Sequence, residues 1–143
     1  MNDDAAIRAL IDRYSQAIHD KDAEAMVACY TDDAVGYDLA QPLAEGPETM
    51  RNPAGMRSWF TTWATPISSV AGEMTVRVGG DVAYAFTLRH MTGVKTEGTE
   101  VDLWFRATAG FRKQDGEWRI AHIHNSVPFA MDGSGRALLD LKP

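Results

Sequence analysis

The chain has 143 residues, 45% of them hydrophobic, and a net charge of -6, which suits a single domain with its own core. The acidic balance argues against nucleic acid as a partner, since phosphates call for clustered Lys and Arg. One cysteine, Cys29, excludes an internal disulfide and fits a cytoplasmic setting; the opening MNDDAAIRAL carries no apolar leader, and no run nears the ~20 apolar residues of a membrane span.

A first helix is expected from Asp4 to His19, with Ile7, Leu10, Ile11, Tyr14 and Ile18 on one face. Asn2 or Asp3 can cap it, and Tyr14 points inward with the stripe. Asp22 then caps a second helix reaching Tyr30, whose buried side holds Met26, Cys29 and Tyr30. Without a basic neighbour, Cys29 reads as a small buried hydrophobe. A short extended piece, Ala34 to Asp38, leads into a long loop from Leu39 to Asn52, of the kind that forms rims and lids. Asn52-Pro53 starts a third helix, an N-cap followed by Pro in the first turn. Its stripe is Met56, Trp59, Phe60 and Trp63, either core or the wall of a ligand pocket.

The remainder reads as strand. Met74, Val76 and Val78 alternate with polar residues, and Gly79-Gly80-Asp81 turns the chain. From Val82 to Met91, Val82, Tyr84, Phe86, Leu88 and His90 share a face, taken as the inner one. The longest feature is the hairpin Val101 to Ser126, whose arms flank an Asp115-Gly116 turn. Val101, Leu103, Phe105, Ala107, Ala109 and Phe111 alternate along its first arm. Strict alternation along the return arm puts Ala121, Ile123 and Asn125 inside. It puts Trp118, Ile120, His122 and His124 outside with Trp104, where a homodimer would cover them. The whole reads as one α+β domain, residues 1–143, with a core at 4–129 and a tail at 130–143. Three N-terminal helices fill the hollow of a strongly curved, mostly antiparallel sheet.

Three polar groups fall on inward faces: Tyr14, His90 and Asn125. Asp38, at the end of the short strand, is placed to join them. An unpaired buried hydroxyl or amide costs ~1–3 kcal/mol, so such groups satisfy one another or meet a ligand. Together they suit proton transfer beside a carbonyl, with no cofactor. Asp38 would be the base, Tyr14 the donor to the developing enolate, and His90 a second donor. Asn125 would orient the substrate, and Trp59, Trp63, Phe86 and Leu88 would shape the pocket. His122 and His124 lie two apart on one strand but lack further metal ligands in the pattern.

RYSQAI in the first helix, YTDDAVGYD after the second, AYAFTL in the meander and WRIAHIHNSVPF at the end carry a resemblance. From Ile7 to about Phe129 the chain resembles the nuclear transport factor 2-like superfamily. Within it, the chain is similar to SnoaL-like and ketosteroid-isomerase-like proteins. The resemblance implies a conical α+β barrel of cystatin-like form with a pocket, dimeric through its sheet. It also implies that Tyr14 matches an oxyanion Tyr and Asp38 a base, while Ala109 stands where those isomerases carry a second oxyanion acid. The end run HIHNS further resembles the association domain of calcium/calmodulin-dependent protein kinase II, an assembly module. Two readings follow. One is an isomerase, cyclase or hydratase of a small apolar carbonyl compound. The other is a non-catalytic ligand-binding or dimerisation module.

Overall fold

The computed structural model describes residues 2–143. Helix α1 runs Asp3–His19 and α2 Ala23–Ala28; strand β1 is Tyr30–Tyr37. Two further helices, α3 (Pro47–Met50) and α4 (Pro53–Phe60), precede β2 (Ser68–Ala71), β3 (Thr75–Gly79), β4 (Val82–Val94), β5 (Glu100–Gln114) and β6 (Glu117–Ser126). The expected caps are in place: Asn2, Asp22 and Asn52 accept from the amides of Ala5, Ala25 and Ala54. The strands form one sheet in the order β1-β6-β5-β4-β2, with β3 also on β4. Every pairing is antiparallel except β1 on β6. Asp115 (φ 53) and Gly116 (φ 79) make the two-residue turn between β5 and β6, both in the left-handed region that the type I′ hairpin needs.

The second helix stops short of Tyr30, which instead opens β1. Cys29 caps the helix, and the Cys29 carbonyl accepts from the Ile120 amide at 2.8 Å, so the chain enters the sheet one residue later. Cys29 is buried, as expected of a small hydrophobe. The loop after β1 is tied down rather than free: Gly36 and Glu45 exchange both backbone hydrogen bonds, at 2.9 and 2.8 Å. It also folds into α3, which buries Met50. The third expected helix ends at Phe60. There the hydroxyls of Thr61 and Thr62 donate to the Ser58 and Trp59 carbonyls, at 2.6 Å each, and cap the last turn.

Two corrections to the inner face of the sheet matter for the site. First, β4 is turned the other way. Val82, Tyr84, Phe86 and Leu88 are exposed on the convex side, and His90 shares their face. The concave side carries Ala83, Ala85, Thr87, Arg89 and Met91. Small side chains there let α1 settle into the hollow, so the less apolar face is the buried one. Second, Trp118 and Ile120 are inside, 5% and 1% exposed. A β-bulge is responsible: Phe111 pairs Ile120 while Gly110 pairs His122, so Ala121 is an extra residue. A bulge switches side-chain parity. Trp118 and Ile120 therefore face inward before it, Ile123 and Asn125 after it, and His122 and His124 outward. The Trp118 indole N–H donates to Asp3 Oδ1 at 2.9 Å, which ties the start of α1 to the last hairpin. No described helix is long and apolar enough to cross a membrane.

Candidate functional site

The sheet curls around α1, and the space between them is a cavity of ≈ 400 Å³, within the range that holds small organic ligands. Its wall is soft. Met26, Met50, Met56, Met74 and Met91 line it, five of the seven methionines in the chain. Their unbranched thioethers adapt to varied shapes. Trp59 and Phe105 add aromatic surface.

Ionisable groups enter this wall at three places, of which Arg89 on β4 is one. Tyr14, from α1, and Tyr30, from the start of β1, meet hydroxyl to hydroxyl at 2.9 Å. Burial pushes the Tyr14 phenol up to about 12, although the bond from Tyr30 and the charge of Arg89 pull it down. Burial raises Tyr30 further, and the neighbouring Tyr14 adds to it. Both phenols are therefore neutral donors at physiological pH. The third place is the end of β1. Asp38 Oδ1 accepts from the Asn125 side-chain amide at 3.1 Å and from the Leu39 amide at 2.7 Å. Oδ2 accepts no hydrogen bond from the described residues. Glu45, delivered by its bridge to Gly36, lines the same region. Burial raises its carboxyl, and the charge of Asp38 raises it again.

Thus Tyr14, Asp38, Asn125 and Trp59 meet around one cavity, as the sequence suggested. Four others do not. His90 sits on the convex face, its ring stacked 4.4 Å from that of Trp104 and its Nε2 2.5 Å from Asp102 Oδ1. Phe86 and Leu88 lie on that face for the same reason, the reversed β4. Trp63 belongs to a second buried cluster with Ala17, Ile18 and Ile67. Its ring approaches Gly93 so closely that a β-carbon there would stand 2.8 Å from Cζ3. It closes one end of the core and does not line the cavity.

Three ionisable lining residues lie outside the set expected from sequence: Tyr30, Glu45 and Arg89. Tyr30 falls at the end of the expected second helix but opens β1, and Glu45 lies in a loop whose path the Gly36 bridge determines. Arg89 carried the clearest signal, a lone charge alternating with Ala83, Ala85 and Thr87.

This arrangement has relatives. The SnoaL-like domain family matches residues 7–130. The chain belongs to that family. No curated protein matches it in sequence. Among solved structures, an NTF2-like protein of unknown function from Pseudomonas putida KT2440 is 33% identical, with a TM-score of 0.84, covering 100% of this chain and 99% of that one. An NTF2-like protein with a cystatin-like fold from Novosphingobium aromaticivorans is 23% identical, with a TM-score of 0.68 and coverage of 92% and 84%. A candidate dehydratase of the NTF2-like family from Streptomyces avermitilis is 15% identical, with a TM-score of 0.75 and coverage of 90% and 97%. At these lower identities the likeness is one of fold. The SnoaL-like chain described here shares with them the α+β architecture of a curved sheet around N-terminal helices.

Proposed function

We propose that this SnoaL-like protein catalyses cofactor-independent proton transfer beside a carbonyl, in an isomerisation, cyclisation or hydration of a small, largely apolar molecule. One observation carries the reading: a pair of neutral phenols and an amide-held carboxylate open onto the same apolar cavity. A substrate carbonyl at Tyr14 would accept the phenol's hydrogen bond, and the charge growing on its oxygen would be stabilised there in a low-dielectric surround. Tyr30, bonded to Tyr14, keeps that phenol oriented. Asp38 Oδ2 takes the proton from the adjacent carbon, and Asn125 fixes the carboxylate for it. With Ala109 where an acid would complete a two-donor oxyanion site, the Tyr14–Tyr30 pair is left to carry that task. A hydration or its reverse stays within this chemistry, and a candidate dehydratase shares the fold.

The test is deuterium wash-in at the carbon next to the carbonyl across a panel of cyclic ketones, read by mass spectrometry. Asp38→Asn, which keeps shape and the Asn125 contact region, should slow exchange by about 100-fold or more. Tyr14→Phe should cost a similar factor, and His90→Ala should cost nothing. Exchange that survives Asp38→Asn unchanged would remove Asp38 as the base.

The alternative is a ligand-binding or dimerisation module, and one feature favours it. Asp38 is exposed, and its bond to the next amide is what an ordinary turn aspartate makes. A panel in which no ketone exchanges would support that reading. In either case the convex face, with Trp104, His122 and His124 but without Trp118, is proposed as the surface of a homodimer.

A further inference from the structure

Arg89 is the one charged side chain that is fully buried among the described residues, at 7% exposure, and it makes no ion pair with them. Its contacts are all neutral. Nη2 donates to Ser15 Oγ at 2.8 Å and to the Ser69 carbonyl at 2.6 Å, and it reaches Ser69 Oγ at 3.2 Å. Nε lies 3.3 Å from Ser69 Oγ. These bonds fix the plane of the guanidinium and leave its charge unanswered. Nη1 has no partner among the described residues, yet it is not sealed among protein atoms. Arg89 lines the same cavity as Tyr14 and Tyr30, and its charge acts on both phenols. A guanidinium cannot escape by losing its proton. An unpaired buried cation is strongly unfavourable unless an anion completes it.

We propose that the ligand carries a single carboxylate and that Arg89 is its anchor. This rests on the reading of the cavity as a ligand site, not on the assignment of Asp38 as base. The carboxylate takes the Nη1 edge in a charge-assisted hydrogen bond, with the Tyr14–Tyr30 pair beside it. The apolar body lies along the methionines and Trp59. The far side of the cavity sets a limit on charge, because Asp38 and Glu45 gather there. Burial raises the Glu45 carboxyl and the charge of Asp38 raises it again, so a second acid group on the ligand would meet repulsion from Asp38. One guanidinium, with no lysine or second arginine lining the cavity, matches a monoanion better than a phosphate. The substrate class is therefore a monocarboxylic acid with a compact ring or branched apolar body.

Calorimetric titration of the full chain with 2-naphthoate, 2-naphthol and 2,6-naphthalenedicarboxylate tests this. The wild type should bind 2-naphthoate at least about tenfold more tightly than 2-naphthol, the scale of one charge-assisted bond. The dicarboxylate should bind more weakly than 2-naphthoate. Arg89→Met should lose the preference for naphthoate and keep the affinity for 2-naphthol. Retained naphthol binding is the evidence that the cavity is intact. Arg89→Lys keeps the charge in case the Met variant fails to fold, and it should hold a reduced preference. Asp38→Asn should keep the preference, so a failure of the catalytic reading leaves this result standing. Equal affinity of the wild type for naphthol and naphthoate would overturn the proposal, as would a preference that survives Arg89→Met. A wild type that binds none of the three would overturn it together with the ligand-site reading.

Discussion

Tyr14 and Tyr30 show how two core residues become a hydrogen-bonded polar pair. Each ring belongs to the core, and each hydroxyl would be costly alone in that setting. Their mutual bond removes most of the cost and leaves the phenols neutral. The consequence appears at high pH. The Tyr14 phenol ionises near 10 in an unfolded chain but is pushed up to about 12 here, chiefly by burial. Between those values the unfolded chain has given up a proton that the folded chain still holds. Stability then falls as pH rises, by linkage. The Tyr14 contribution is intact below pH ~10 and is spent as pH passes ~12, a loss of about 2–3 kcal/mol at ~1.4 kcal/mol per pH unit. Urea unfolding across this range should show Tyr14→Phe losing less stability than the wild type. The same alkaline slope in both proteins would mean that Tyr14 is not shielded from water.

The bulge in β6 is the element on which the site's geometry turns. Without Ala121 as an extra residue, one strand could not place Trp118, Ile120, Ile123 and Asn125 on the same side. Gly110 sits opposite, and a β-carbon there would meet His122 Cβ at an ordinary 3.7 Å, so the bulge does not depend on that glycine. Deleting Ala121 should force a choice: either Trp118 and Ile120 or Ile123 and Asn125 must turn out to solvent. Exposing the first pair forfeits about 3–6 kcal/mol, a large share of the 5–15 kcal/mol typical of a domain. The deletion variant should therefore lose its cooperative urea transition, whereas Ala121→Ser should keep it; a cooperative deletion variant with wild-type stability would show that the bulge is incidental. The same element marks the limit of what the residues reveal in advance. Helix caps, the Asp-Gly turn and the inward Tyr14 and Asn125 were legible because each is a local rule. Trp118 was not, since one inserted residue reverses parity and nothing in WRIAHIHN announces it. The facing of β4 failed for another reason. Both its faces carry apolar groups, and what decides between them is the room α1 needs, a tertiary fact. Arg89 follows from the same fact, because a lone charge among Ala83, Ala85 and Thr87 points to a site only when that face is the inner one.

Over the whole molecule, the reversed β4 leaves one surface to account for. Tyr84, Phe86 and Leu88 are 51%, 49% and 42% exposed along the convex side. Phe86 lies in register with Thr108 and then His124, and His124 with Tyr37, so the aromatic row crosses four strands. The Tyr37 ring packs against His122 and His124, edge to face, at 4.8 and 5.4 Å. Trp104 and His90 extend the row. At ~3.3 Å per residue and ~4.8 Å per strand, such a face covers several hundred Å², near the ~800 Å² per partner of a stable interface. An apolar face of that size calls for cover, and the proposed homodimer would supply a self-complementary one through a two-fold axis. The sheet would then stand between two cavities that open away from each other, so each site is complete within its own chain. Light scattering after size exclusion should give twice the chain mass for the wild type. Phe86→Asp should give the single-chain mass while keeping the far-ultraviolet circular dichroism, because the side chain points away from the core. It should also keep the ligand affinity of the wild type, since Phe86 does not line the cavity. A wild type that runs as a monomer at high concentration would leave this face without a second copy as its cover.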